Sequence, residues 1–249
     1  MVKELLHALP GEDIVYYGDS ANCPYGNRSL ENLIELGTKM LDFCREKECK
    51  AIAIACNTLS PIIDKITEGS DTVSMGVIRP AGEYVASLGI KKVGVLATAF
   101  TVASGAYDAA IHLHDPSIEV YSQSSPSLAS MIEKEADEED INREIILEVE
   151  KLLKKGDVRH ILMSCTHYPI VEAQFSRCFP EINFINPARA QANALQKLLK
   201  EKGLVTDSKT GSMDICTSGE VSGIVNTCKR LGIDAASSWS PNTCRKLVI

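Results

Sequence analysis

Short apolar runs alternate along this chain with stretches of helical spacing. The runs at 14–17, 51–55, 74–78, 92–97, 160–163, 183–185 and 213–217 are almost wholly apolar and rich in Val and Ile, which predicts strands. Between them, 30–47, 61–68, 81–88, 101–113, 138–155, 171–179 and 188–201 place apolar residues three and four apart, which predicts helices. A further helix is expected over 1–9, ahead of the first strand and with no capping residue before it. Strands that are apolar on both faces, with helices between them, imply mainly parallel sheets covered on both sides, an α/β fold. Ligands in such folds sit beyond the carboxyl ends of the strands. The acidic stretch 133–144 reads as a solvated loop and helix start, and the Ser/Asn/Pro-rich residues before Leu247 as a surface segment.

Composition narrows the classes of function. The chain has 249 residues, 45% of them hydrophobic and 24% charged, which is enough apolar material for a core and argues against general disorder. No apolar run reaches the roughly 18 residues that a membrane span needs, and Met1-Val2-Lys3-Glu4 does not open a signal peptide. The formal charge of −7 is opposite to that of a nucleic-acid binder. Nine cysteines, an odd number without a repeated short spacing, read as free thiols in a reducing cytoplasm. The expectation is a cytoplasmic protein with neither a membrane nor a nucleic acid as partner.

Two segments carry candidate chemistry. Ala53-Ile54-Ala55-Cys56-Asn57-Thr58 and Ile161-Leu162-Met163-Ser164-Cys165-Thr166-His167-Tyr168-Pro169 each run an apolar strand into a cysteine and small polar residues. A thiol at the carboxyl end of a strand meets ligand, and the N-terminus of the following helix can favour its thiolate. Cys44, Cys49, Cys178, Cys216, Cys228 and Cys244 lack that context and read as small hydrophobes or surface residues. No Cys-x2-Cys or His-x3-His spacing supports zinc, so no metal is expected.

The chain resembles the bacterial glutamate racemases over essentially its whole length. The resemblance rests on six segments in order: Gly18-Asp19-Ser20-Ala21-Asn22-Cys23-Pro24-Tyr25-Gly26, Cys56-Asn57-Thr58, Gly76-Val77-Ile78-Arg79-Pro80, Gly94-Val95-Leu96-Ala97-Thr98, Cys165-Thr166-His167-Tyr168-Pro169 and Thr217-Ser218-Gly219. It implies two similar three-layer α/β lobes facing across a central cleft, one built from 1–80 plus 187–249 and the other from 81–186, with one cysteine from each. It implies a cofactor-independent isomerase that converts L-glutamate to D-glutamate for peptidoglycan synthesis, with homodimers common among its members. Racemisation removes the Cα proton and returns one from the opposite face, so two acid/base groups must flank Cα in a dry, charge-stabilising site. By the resemblance Cys56 and Cys165 are those groups, His167 partners Cys165, and Glu133, with Glu135 close by in sequence, aligns with an auxiliary acid. Pro24, Tyr25, Gly26, Asn57, Thr58, Thr98, Thr101 and Thr166 are implied as substrate contacts. Small hydroxyl and amide groups hold two carboxylates and an ammonium without placing a competing base beside Cα. Thr98 and Thr101 read equally as helix caps.

Members of that family open with a strand ending in Asp-Ser-Gly and a glycine pair, whereas Met1-Val2-Lys3-Glu4-Leu5-Leu6 resembles the helix that follows it. The expectation is a truncated start-site product in which Cys56 lacks its acidic partner and the neighbouring strands lack a pairing edge, with reduced activity and stability. The competing expectations are an aspartate racemase-like enzyme or a decarboxylase on the same scaffold, and a paralogue that binds an acidic amino acid without turnover. His167, where aspartate racemases usually carry a glutamate, favours glutamate over aspartate. The retention of both cysteines argues against a decarboxylase.

Overall fold

The computed structural model describes residues 1–233 and 244–249. The first half of the chain forms α1 (Val2–Ala8), β1 (Ile14–Gly18), α2 (Leu30–Glu46), β2 (Ala51–Ile54), α3 (Ile63–Ile66), β3 (Val73–Gly76), α4 (Ile78–Ser87), β4 (Lys92–Ala97), α5 (Ala99–Ala103), α6 (Ala106–His112) and β5 (Glu119–Ser124). It continues through α7 (Leu128–Glu133), α8 (Glu138–Lys155), β6 (His160–Ser164), α9 (Glu172–Cys178), β7 (Asn183–Ile185), α10 (Pro187–Glu201), β8 (Met213–Thr217), α11 (Val221–Arg230) and β9 (Cys244–Lys246). This is an α/β fold whose registered ladders are all parallel. None of the described helices is long and apolar enough to cross a membrane. The Ser/Asn/Pro-rich stretch before Leu247 lies largely outside the described residues.

The chain divides into two compact units, Met1–Ala53 with Ile62–Met75 and Ala192–Ile249, and Ile54–Pro61 with Gly76–Gln191. In the first unit the strands form a sheet in the order β1-β8-β9 and a separate pair, β2-β3. Helix α1 packs on both: Val2 and Leu6 join the cluster around Met213 and Ile215, while Leu5 and Ala8 join Leu195 and Leu199 against Ala51, Ala53, Val73 and Met75.

The second unit has one sheet in the order β5-β4-β6-β7, and the period-2 alternation of its strands is why both faces are covered. Val93, Val95, Ala97 and Leu162 face α4 and α6, whereas Leu96, Ile161 and Met163 face α7, α8 and α9. Helices α4 and α6 approach closely because Gly82 has no side chain; a Cβ there would stand 2.6 Å from the Ala110 backbone.

Several sequence expectations change in the structure. The helix expected over 101–113 is two, broken at Gly105, whose φ of +62° a helix does not accept. The segment expected as a strand to 78 turns helical there, with Pro80 in the first turn, where its missing N–H leaves no bond unmade. The sequence reading lacked β5, an edge strand half polar and half open to solvent, and also lacked α7, α11 and β9. The acidic stretch holds the end of α7, a turn and the start of α8, whose first-turn acids Glu138, Glu139 and Asp140 suit a helix N-terminus.

Candidate active site

Both cysteines sit just past the end of a strand. Cys165 directly follows β6, the inner strand whose Ile161, Leu162 and Met163 are fully buried. Its carbonyl accepts the Tyr168 N–H at 3.1 Å, and buried Tyr168 anchors the turn, its ring 5.9 Å from that of Phe175. Cys56 lies two residues beyond β2, and its carbonyl accepts both the N–H and the hydroxyl of Ser60 at 3.1 Å. The same Ser60 hydroxyl accepts the Val77 N–H at 3.0 Å, tying the turn to the start of α4.

These bonds decide where Cys56 belongs. The boundary read from the sequence put it in the first lobe, but Ile54–Pro61 packs with the second unit. Its polar groups find their partners there: Asn57 on Tyr107, Thr58 on Thr98, Ser60 on Val77, and the Ile54 carbonyl on Gln191. Cys56 and Cys165 therefore share one unit.

Around Cys165 the side chains form a relay. The thiol stands 3.6 Å from Nδ1 of His167, and Nε2 of His167 stands 2.9 Å from a carboxylate oxygen of Glu133, the last residue of α7. A carboxylate accepting from Nε2–H orients the ring so that Nδ1 faces the sulfur, where it can take or return a proton. Cys56 is served differently. Burial pushes its thiol up to about 11, and negative charge on Cys165 acts in the same direction. The backbone N–H groups of Leu59 and Thr58, together with His167, oppose that rise.

A pH dependence follows. The folded value lies above that of an unfolded cysteine, so folding favours the neutral thiol, and the stability it contributes is present below about pH 8.5. That contribution is lost as the pH rises toward about 11. In the ligand-free protein, alkylation of Cys56 by iodoacetamide, followed by peptide mass spectrometry, is expected to be slow at pH 7.5. It should accelerate about tenfold per pH unit until it levels near 11. A plateau already reached at pH 8 would contradict this assignment.

The remaining site residues fall into three groups. Asn57, Thr58, Thr98 and Thr101 are buried and joined to their surroundings by side-chain hydrogen bonds. The hydroxyls of Thr58 and Thr98 stand 3.2 Å apart and those of Thr98 and Thr101 3.0 Å, a chain in which each can donate or accept. Thr98 also caps α5 by accepting the Thr101 N–H at 3.4 Å. Thr166, beside Cys165, is exposed. Pro24, Tyr25 and Gly26 belong to the first unit, on the turns after β1. There the Tyr25 hydroxyl donates to Asp19, and the Arg28 guanidinium lies over the Tyr25 ring at 5.9 Å. One residue escaped the sequence reading. Tyr107 donates to Oδ1 of Asn57 at 2.6 Å. Tyr107 occupies an ordinary apolar position of a helix, so no local signal marks it.

Known proteins resemble this chain in sequence and in fold. Residues 1–195 match the model of the Asp/Glu/Hydantoin racemase family. The chain is 34% identical to a glutamate racemase of Thermoanaerobacter sp. strain X514, over 93% of this chain and 88% of that protein. It is 33% identical to a glutamate racemase of Carboxydothermus hydrogenoformans, over 91% and 84%. Among solved structures, glutamate racemase RacE1 of Bacillus anthracis superposes with a TM-score of 0.86 at 29% identity, covering 92% of this chain and 88% of that one. The Francisella tularensis glutamate racemase in complex with D-glutamate gives 0.81 at 29% identity, with the same coverage. With its parallel α/β units, its paired strand-end cysteines and a family match across most of its length, the chain belongs to the Asp/Glu/Hydantoin racemase family, a family of isomerases.

Proposed function

We propose that the chain interconverts L- and D-glutamate by passing the Cα proton between two thiols, Cys56 and Cys165. The observation that carries this reading is the Cys165–His167–Glu133 relay in the same unit as Cys56, whose sulfur feels the charge of Cys165. In one direction a thiolate takes the Cα proton from one face, and the opposing thiol delivers its own proton to the other. The reverse direction exchanges the roles. A Cα proton is far less acidic than a thiol, so the carbanion must be stabilised by fixed donors in a site that excludes water. The buried hydroxyls of Thr58, Thr98 and Thr101, with the Asn57 amide, supply such donors, and the exposed Thr166 hydroxyl adds one beside Cys165. His167 and Glu133 serve Cys165, while the N–H groups of Thr58 and Leu59 serve Cys56. Glutamate as the substrate is supported by the names of the relatives, among them one solved in complex with D-glutamate. The D-glutamate so formed is a building block for peptidoglycan.

The test is solvent deuterium incorporation at Cα of L- and D-glutamate, with aspartate offered in parallel. Exchange and interconversion of both glutamate enantiomers are expected. Glutamate binding without exchange would overturn the catalytic reading, and exchange of aspartate alone would move the substrate by one methylene. Glu133→Gln keeps a hydrogen-bond partner for His167 but removes its charge. Charge-assisted hydrogen bonds are about twice as strong as neutral ones, so kcat should fall about tenfold with little change in KM. An unchanged kcat would remove Glu133 from the relay.

A further inference from the structure

Asn57 directly follows Cys56. Its side chain hydrogen-bonds the phenol of Tyr107 on α6, which is 2% exposed. The phenol has one proton, and it goes to Oδ1 of Asn57 at 2.6 Å. Asn57 is itself 3% exposed, and its carbonyl oxygen is committed to Tyr107. Its NH2 group makes no hydrogen bond among the described residues, which leaves Asn57 a pure donor toward a ligand.

Resting on the proposed glutamate reaction, we infer that Tyr107 is a positioning residue: it holds the Asn57 amide with its NH2 presented to a substrate carboxylate, and ties the turn after Cys56 to α6. An amide free to flip would present its carbonyl half of the time, and a carbonyl repels a carboxylate while attracting an ammonium. Tyr107 therefore sets which end of a small amino dicarboxylate Asn57 accepts, although it touches no substrate itself.

The variant that separates this role from packing is Tyr107→Phe in the full chain, which keeps the ring and removes the hydroxyl. In 15N-labelled protein the Asn57 side-chain NH2 signals, assigned by their loss in Asn57→Ala, are expected to shift and to exchange with solvent several-fold faster. KM for glutamate should rise roughly tenfold with kcat within threefold, because binding and not proton transfer is disturbed. The double variant Tyr107→Phe with Asn57→Ala should match Asn57→Ala alone, since a residue acting through Asn57 adds nothing once Asn57 is gone. Unchanged NH2 signals in Tyr107→Phe, or effects that multiply in the double variant, would overturn the inference. The NMR readout needs no substrate, so a chain that shows the shift but never exchanges glutamate would count against the reaction and not against the hold on Asn57.

Discussion

Serine in place of either Cys56 or Cys165 is expected to lower glutamate racemisation by about 10³-fold. A positioned acid or base contributes about 10²–10⁴-fold, and a serine hydroxyl neither ionises nor protonates a carbanion as a thiol does. Both substitutions conserve size closely, so the turns held by Ser60 and Tyr168 should persist. Racemisation needs a base on one face and an acid on the other, and each variant lacks one of them in both directions. The two variants should differ in what survives. Cys56→Ser keeps Cys165 with its relay through His167 to Glu133, and so a base able to wash the proton from one enantiomer. Cys165→Ser leaves only Cys56, whose thiol lies near 11 before substrate binds. Deuterium incorporation followed separately for L- and D-glutamate reads this directly. Full racemisation by either variant would dismiss the two-thiol reaction.

A second large effect is expected behind the site. Phe175→Ala should destabilise the second unit by about 3–5 kcal/mol, the usual cost of emptying an aromatic core position. Phe175 is fully buried, with its ring centroid 5.9 Å from Tyr168 and 5.0 Å from Phe184. It thus supports the residue whose N–H holds the Cys165 carbonyl. The cavity would lie in a cluster that spans β4, β6, α7, α8 and α9, which cannot collapse onto it without moving strands. Since whole domains are stable by only about 5–15 kcal/mol, the variant should show a lower urea midpoint and weaker activity before global unfolding. A loss below about 1 kcal/mol would mean that the cluster is looser than its burial indicates.

What could be read from the amino acids was what depends on near neighbours. The apolar runs at 92–97, 183–185 and 213–217 became β4, β7 and β8 without a shift in their ends, because most positions in each are apolar and buried. Helix α8 likewise kept the limits of its periodicity, 138–155. The two cysteine segments announced themselves by position, each a thiol just past an apolar run. Edge strand β5 stayed silent because only Val120 and Tyr121 of its six residues are apolar, one packed on each of the two core clusters.

Partnership across the chain is a different matter. Glu133 meets His167, Asn57 meets Tyr107, and Thr58 meets Thr98 only because the strand order β5-β4-β6-β7 and the helices laid on it bring those positions together. The same contacts carried residues 54–61 away from the strand they follow and into the second unit. Hydrophobic periodicity decides which face of a segment is buried. A buried hydrogen bond has to be made with whatever group the packed neighbours present, and that choice exists only once the chain has folded.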